Sequence, residues 1–269
     1  MRFADLALAR RLEAAEVQAN REYAQALAYL RPEAGAADLP VAGGIAIYAG
    51  PGSPLNHATG IGMAGPVSAA DLSALEAFYA QRATPVQLQL CPLADSALPA
   101  LLAPRGYHLA RFLNVLVRPL DPQEAFAAPP AGMKVQQVGP AEREVWTRTV
   151  AQGFLGRDDI TPAALEVPTP NTHLASATCF LARVNGEPAG GGAVTRHEGL
   201  ATLFSASTRA AFRRQGVQTA LLRARLAFAA GCGCDLAMLR AVPGSASQRN
   251  AERLGFRVVY TKAVLVREG

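Results

Sequence analysis

The chain has 269 residues, half of them apolar, with a formal net charge of +5 and a pI near 9.3. That length suits one large domain or two ordinary ones, with enough apolar residues to bury a sizeable core. No apolar run reaches the roughly 18 residues of a membrane span, and Arg10, Arg11, Glu13 and Glu16 interrupt the N-terminal apolar residues, so neither a span nor a signal peptide is expected. The positive balance favours acidic ligands. Nucleic acid is the competing reading of such a charge, but lysines and arginines are scattered, aromatics are sparse and no nucleic-acid motif appears. Of the four cysteines, Cys232-Gly-Cys234 is too tightly spaced for the usual zinc pair, and Cys91 and Cys179 supply no second pair. Buried free thiols in a reducing cytosol are the expectation, with no metal.

In chain order, the first thirty residues read as a helix with Leu12, Ala15, Ala19, Tyr23, Leu27 and Leu30 near one face, ended by Arg31-Pro32 and the Gly/Ala/Pro stretch to Pro40. Residues 45–49 form a strand, 51–56 a loop and 58–63 a short strand or turn. Ser68-Ala-Ala-Asp71 opens a helix carrying Leu72, Leu75, Phe78 and Tyr79. A strand at 86–90, a helix at 95–102 stopped by Gly106, and a strand at 112–117 follow. Pro119, Pro122, Pro129 and Pro130 mark a linker. Beyond it come a strand at 134–138 and a helix at 141–154. A hairpin joins 179–184 to 189–195 through Asn185-Gly186. A strand at 200–207, a helix at 216–230, a strand at 236–241, a helix at 245–253 and a strand at 258–266 complete the chain.

An offset of 149, the step from Gly106 to Gly255, overlays the first half on the second without a gap. Tyr107 falls on Phe256, Val115-Leu116-Val117-Arg118 on Val264-Leu265-Val266-Arg267, and Leu72 on Leu221. This reads as two copies of one α/β unit, divided as residues 1–120, a Pro-rich linker at 121–132, and residues 133–269.

The two copies differ at one turn. In the second, Arg213-Arg-Gln-Gly-Val-Gln-Thr219 lies between a strand and a helix. The first amides of a helix lack internal partners and sit at the positive end of its dipole, a setting that suits an anion. Gly216 removes a Cβ from the approach, and Arg213 and Arg214 add charge. In the first copy the matching stretch is Ala64-Gly65-Pro66-Val67-Ser68-Ala69, without arginine and with Pro66 removing an amide.

Arg213-x-x-Gly216-x-Gln218, followed by helix, strand, a second helix and Leu254-Gly255-Phe256, resembles the GNAT family of acyl-CoA-dependent N-acyltransferases over residues 133–269. The resemblance implies an α/β (α+β) fold of two GNAT-like mixed-sheet domains, the first a degenerate copy without a cofactor loop. It implies an N-acyltransferase, acetyl-CoA or another acyl-CoA as co-substrate, and direct attack by a primary amine on a small molecule, peptide or protein. Arg213, Arg214, Gln215, Gly216, Val217, Gln218 and Thr219 would hold the pyrophosphate. The edge Ala206-Ser207-Thr208 would bind the pantetheine arm, and Ser247 and Asn250 would contact it or cap their helix. Gln218 stands where the family carries Gly or Ala, its side chain expected to point outward. The family's tyrosine acid, four residues before the helix-ending glycine, is here Ala251. Tyr260 as acid, and His173 or Ser205 as base, are the substitutes offered by the sequence; His197 and Glu198 are also near in sequence, and base action through ordered water needs none of them. A non-catalytic acyl-CoA-binding protein is the alternative. A cytoplasmic monomer or homodimer, without nucleic acid or membrane, is expected.

Overall fold

The computed structural model describes residues 4–268. The regular elements, in order, are α1 (Leu6–Leu30), β1 (Ala37–Val41), β2 (Gly44–Tyr48), β3 (His57–Thr59), α2 (Ala69–Ala80), β4 (Val86–Leu90), α3 (Leu98–Leu102) and β5 (His108–Pro119). After the irregular 120–132 stretch come β6 (Met133–Gln137), α4 (Arg143–Leu155), β7 (Ala177–Val184), β8 (Glu187–His197), β9 (Leu200–Thr208), α5 (Val217–Gly231), β10 (Leu236–Ala241), α6 (Ala246–Arg253) and β11 (Arg257–Arg267). No helix among the described residues is long and apolar enough to cross a membrane.

Two compact units divide the chain. Unit 1 holds residues up to Leu116 together with Arg240–Ser245 and Val258 onward; unit 2 holds Val117–Leu239 and Ala246–Arg257. The last strand of the chain therefore belongs with the first half. In unit 1 the strands run β1-β2-β3-β4-β11-β5. β1/β2, β2/β3 and β4/β11 are antiparallel, and β3/β4 is parallel through Ala58↔Leu88 and Thr59↔Gln89. In unit 2 the order is β10-β9-β8-β7-β6, antiparallel except for the parallel pair β9/β10. α4 and α5 both pack on β8 and β9.

Local chemistry accounts for most element ends. The Asp5 side chain accepts from the Leu8 amide at the start of α1, and Ser68 and Asp71 form a reciprocal capping box on α2. Asn185 and Gly186 both sit at positive φ, the two-residue turn that matches the twist of the β7–β8 hairpin. Gly106 and Gly255 take the same left-handed conformation after α3 and α6, the backbone imprint of the repeat.

The expected and observed elements differ in several places. Met1, Arg2 and Phe3 of the thirty-residue helix lie outside the described residues, and α1 begins at Leu6. The stretch to Pro40, read as a helix breaker, carries β1; it ends the unit 1 strand order, where the missing N–H of exposed Pro40 costs no ladder bond. The helix expected from Asp95 starts at Leu98, because the Asp95 carboxylate accepts instead from the Val67 and Ala97 amides. The ungapped repeat holds from β3 onward; earlier it would lay both β1 and β2 on β8, and α1 on the stretch that follows α4. Among the cysteines, Cys91, Cys179 and Cys234 are buried free thiols and Cys232 is exposed. Burial pushes the Cys91 thiol up to about 11 and the Cys179 thiol up to about 12, which leaves both protonated.

Three successive glycines in β8 set the distance between sheet and helices in unit 2. A Cβ on Gly190 would meet Val217 at 2.8 Å, one on Gly191 would meet Val150 at 2.6 Å and the Trp146 ring nitrogen at 2.8 Å, and one on Gly192 would meet the Arg225 guanidinium carbon at 2.8 Å. Alternate residues of a strand face opposite sides, so α5 presses on Gly190 and Gly192 while α4 presses on Gly191. Around the α4 contact, Trp146, Val150, Cys179, Leu181 and Ala193 form the core, and the indole N–H donates to the Phe180 carbonyl.

Unit 1 is organised differently. Its apolar core lies between α2, β2 and β4, with Leu72, Leu75, Tyr79, Leu88 and Leu98 almost fully buried. Under α1 lies a charged cluster. Lys262 on β11 donates to Glu13 and Glu16 at 2.8 Å each and to the Thr59 hydroxyl at 3.0 Å. The Tyr260 hydroxyl donates to Glu13 at 2.8 Å, and Arg240 donates to Glu16 at 3.3 Å and Gln89 at 2.7 Å. Burial raises both carboxyls; Arg240 and Lys262 outweigh it at Glu16, whose pKa is lowered, and Lys262 does not at Glu13, whose pKa is raised. Lys262 loses to burial and gains more from the two glutamates, so its pKa rises.

His57 is buried beside this cluster with neither ring nitrogen hydrogen-bonded. Burial, then the charge of Arg240, pulls its pKa from 6.5 to about 3. A folded-state pKa below the unfolded one contributes stability above the unfolded value, lost as pH falls. Between about pH 7.5 and about pH 4.5, His57→Leu should lose roughly 2–3 kcal/mol less stability than the parent chain, read from urea midpoints. An unchanged pH dependence would contradict a neutral buried imidazole. Lys262→Met should cost about 3–5 kcal/mol by leaving two buried carboxylates facing each other, with partial recovery in Lys262→Met/Glu13→Gln, by the same assay.

Candidate acyl-CoA site in unit 2

Parallel pairing of β9 with β10 runs from Leu200↔Leu236 to Leu203↔Leu239 and stops. β9 continues to Thr208, held on its other side by β8 through Gly191↔Ser207 and Gly190↔Thr208. Between these segments the β8–β9 register skips, and Ser205 sits at φ +47°. This is a β-bulge, one strand carrying extra residues and bending away from its neighbour. Ala206, Ser207 and Thr208 thus form a strand edge that has left the β9/β10 ladder.

α4 holds that edge from behind. The Ser207 hydroxyl donates to the Val150 carbonyl at 2.8 Å. A Cβ on Gly153 would lie 2.4 Å from the Ser207 hydroxyl oxygen and 2.8 Å from the Thr208 amide nitrogen. Asn171, 5 % exposed, donates its amide to the Ser205 hydroxyl at 2.8 Å. The sequence reading missed Asn171, which lies in a proline-rich loop of short helical turns with no strand or helix periodicity to single it out.

The turn after β9 carries the residues assigned to the pyrophosphate. Arg214 and Gly216 are at φ +64° and +81°, and α5 begins at Val217 without a side-chain cap. The first intrahelical bond is from Ala220 to Gly216, so the Val217, Gln218 and Thr219 amides have no acceptor within the helix. Arg213, Arg214, Gln215 and Gly216 are exposed, Val217 is buried against Gly190, and Gln218 and Thr219 are half-buried. A Cβ on Gly216 would meet only Pro130, at 3.7 Å, so the space over the turn is open. Uncapped amides, open space and adjacent guanidinium groups fit a pyrophosphate.

Two side chains behave differently from expectation. Gln218 does not point outward; its amide donates to the Thr208 hydroxyl at 2.8 Å and ties the first turn of α5 to the end of β9. Arg213 reaches back to the Gly153 carbonyl at 3.1 Å and the Thr208 carbonyl at 3.4 Å, so its guanidinium clamps turn, strand and α4 together. On α6, Ser247 is exposed and Asn250 accepts from Arg253 at 3.2 Å.

Ala251 is fully buried, so the position where the family's tyrosine stands is core. Tyr260 lies in unit 1, its hydroxyl given to Glu13 and its pKa driven up by burial and then by the two glutamates. His173 is exposed, its Nδ1 2.9 Å from the Thr172 hydroxyl. His197 and Glu198 lie at the far end of β9, roughly 16 Å of strand from Ser205. No group of His, Cys, Asp and Glu among the described residues is arranged to hold a metal ion.

Residues 151–256 match the model of the Acetyltransferase (GNAT) family, so this segment, which lies largely in unit 2, is a domain of that family. The family transfers acyl groups from acyl-CoA. Most of the chain shares its fold with GCN5-related N-acetyltransferases. One from Kribbella flavida is 20 % identical, with a TM-score of 0.61 over 87 % of this chain and 90 % of that one. One from Sphaerobacter thermophilus is 18 % identical, with a TM-score of 0.59 over 87 % and 76 %. A tandem GNAT protein from the clavulanic acid biosynthesis pathway is 17 % identical, with a TM-score of 0.59 over 83 % and 77 %. No curated protein matches the sequence.

The contact between Gly153 and the Ser207–Thr208 edge is testable without any ligand. Gly153→Ala must push α4 off β9 or strain both, a change typically costing about 1–3 kcal/mol. A urea midpoint equal to that of the parent chain would show that α4 does not hold the strand edge.

Proposed function

We propose that the chain is an N-acyltransferase using acetyl-CoA or another short acyl-CoA, with unit 2 as the catalytic part and a primary amine as acceptor. The observation that carries this is the uncapped start of α5, at a positive-φ turn beside a strand edge that has left its ladder. The Val217, Gln218 and Thr219 amides take the pyrophosphate, with Arg214 adding charge. The Ala206–Thr208 edge offers backbone groups to the pantetheine arm. In the reaction the amine nitrogen bonds to the thioester carbonyl carbon, the carbon–sulfur bond breaks, the thiolate leaves, and the proton lost by nitrogen balances it as thiol. No side chain at residue 251 can protonate that thiolate. General-acid assistance typically contributes about 10²–10⁴-fold, so turnover without it is slower rather than absent, the coenzyme A thiol being a fair leaving group.

Unit 1 takes no cofactor in this reading. Its β3 and β4 remain paired at Ala58↔Leu88 and Thr59↔Gln89, and Pro66 removes an amide from the turn before α2. The buried Ala251 also favours a second reading, an acyl-CoA-binding protein without turnover.

Calorimetric titration with acetyl-CoA should show one site per chain with about micromolar affinity. Gly216→Val, strained at φ +81° and crowding the amides, should weaken it at least ~10-fold without altering the melting temperature by more than a few degrees. Absence of binding at millimolar ligand would remove both readings. Binding without acyl transfer to any member of an amine library would leave the second.

A further inference from the structure

The Pro-rich stretch between the two copies reads as a linker, and the structure gives it to unit 2. It is held at both ends. At its start the Leu120 amide donates to the Asp235 carbonyl at 2.9 Å, and the Asp121 carboxylate accepts from the Gln123 amide at 2.8 Å. The Arg118 guanidinium pairs with Glu124, and its carbon lies 5.3 Å from the centre of the Phe126 ring. The Nε of Arg118 stands 3.2 Å from where a Cβ on Gly255 would be, at the end of α6. At the far end of the stretch the Asn185 amide donates to the Gly132 carbonyl at 2.8 Å, and the Met133 amide to the Pro130 carbonyl at 3.0 Å. Gly132, at φ +76°, leaves the room that Asn185 takes: a Cβ there would lie 2.6 Å from the Asn185 side-chain oxygen. A segment tied down in this way is a strap rather than a flexible tether.

Between these anchors Ala127, Ala128, Pro129 and Pro130 are exposed, and none carries a polar side chain. Pro130 lies beside the start of α5: its Cγ is the atom that a Cβ on Gly216 would meet, at 3.7 Å. The strap leads into β6, at the opposite end of the unit 2 strand order from β10. The open edge Ala206–Thr208 lies on the β10 side of β9. An acyl-CoA whose pantetheine arm follows that edge, and whose pyrophosphate sits on the Val217–Thr219 amides, has its thioester end on the β10 side. The adenosine is the part left to continue past the helix start, where Pro129 and Pro130 stand. A proline ring is apolar and its φ is fixed, so it meets a flat purine without the cost of ordering a side chain. Resting on the acyl-CoA reading above, we propose that Pro129 and Pro130 form the platform on which the adenine ring of acyl-CoA lies, so that the segment joining the two copies is a specificity element favouring coenzyme A thioesters over shorter pantetheine thioesters.

The test uses two thioesters. Affinities of acetyl-CoA and of S-acetyl-4′-phosphopantetheine, which lacks the adenosine, are measured by calorimetry on the full chain and on Pro129→Gly/Pro130→Gly, with folding checked by circular dichroism. The variant should bind acetyl-CoA ~5–10-fold more weakly, the size expected from losing contact with one face of a purine, and S-acetyl-4′-phosphopantetheine within ~2-fold of the parent. Equal affinity of parent and variant for acetyl-CoA overturns the proposal. An equal loss for both ligands also overturns it, because prolines that only shape the turn would affect both alike. Isotope-filtered nuclear Overhauser effects give a readout that needs neither a folded variant nor a bound fragment. The adenine protons of acetyl-CoA, bound to the full chain labelled at proline, should reach the ring protons of Pro129 and Pro130. Contacts from the pantetheine arm alone, or from no part of the ligand, overturn the proposal. Failure of the parent chain to bind acetyl-CoA is a different result: it removes the acyl-CoA reading and this proposal with it.

Discussion

A strand that leaves its ladder must still satisfy its backbone and keep its place, and β9 after Leu203 is under that constraint. It is met from three sides. β8 keeps its bonds to Ser207 and Thr208. α4 comes close enough to accept the Ser207 hydroxyl at Val150, an approach that Gly153 permits. α5 reaches under the bulge with Arg225 and closes on Gly190 with Val217. The turn to α5 is then tied back by Gln218 and Arg213 to Thr208. The open strand edge and the uncapped helix start are neighbours because the same few contacts hold both, and a binding site built from backbone depends on such contacts more than on the side chains lining it.

The first half of the chain, α1 to β5, has the same order of helices and strands as α4 to β11, but unit 1 resolves its corresponding region otherwise. β3 and β4 stay paired, β3 is three residues long, and the space under α1 is filled by Lys262, Glu13, Glu16 and their partners. Such a cluster is weak evidence of added stability, since desolvation offsets much of the attraction. The cluster is tied to strand register: Lys262 reaches Glu13 and Glu16 of α1 from β11, which pairs with β4 residue for residue from Ala263↔Leu90 to Arg267↔Val86. The alternate residues Tyr260, Lys262 and Val264 are buried, so a slip by one position would turn the lysine away from the carboxylates.

What the sequence made legible was mostly local. The Asn-Gly hairpin, the Ser68–Asp71 capping box, the two helix-ending glycines and the Gly216 helix start each follow from chemistry within a few residues. Binary patterning placed β4 and β10 on the residues they occupy. The parts that escaped it depend on tertiary contact. Glu13 and Glu16 read as charges interrupting an apolar helix, and nothing near them signals a lysine some 250 positions away. β1 was hidden by Pro40, which is tolerable only at the end of a strand order. The Gly190–Gly192 run is unremarkable in a strand until two helices are seen pressing on opposite faces of it. Gln218 looked like an outward-pointing replacement for a small residue because its partner, Thr208, is ten residues back across the turn.

The two units also differ in how they treat buried charge, and the difference bears on chemistry. In unit 1, Lys262 and Arg240 face Glu13 and Glu16, so cations and carboxylates balance within a few ångströms and the cluster projects little field beyond itself. In unit 2, Arg225 is met by carbonyl dipoles, which orient around a charge but do not cancel it. Arg213 and Arg214 on the adjoining turn are exposed, so solvent screens their charge while that of buried Arg225 is shielded from it. In the proposed acyl-CoA reading these cations favour an anionic ligand at the helix start of unit 2, and the matching turn of unit 1 carries no arginine. The loss of arginine from the turn before α2 and the neutralised cluster under α1 thus point the same way, toward a first copy whose polar groups serve to hold its own strands in register.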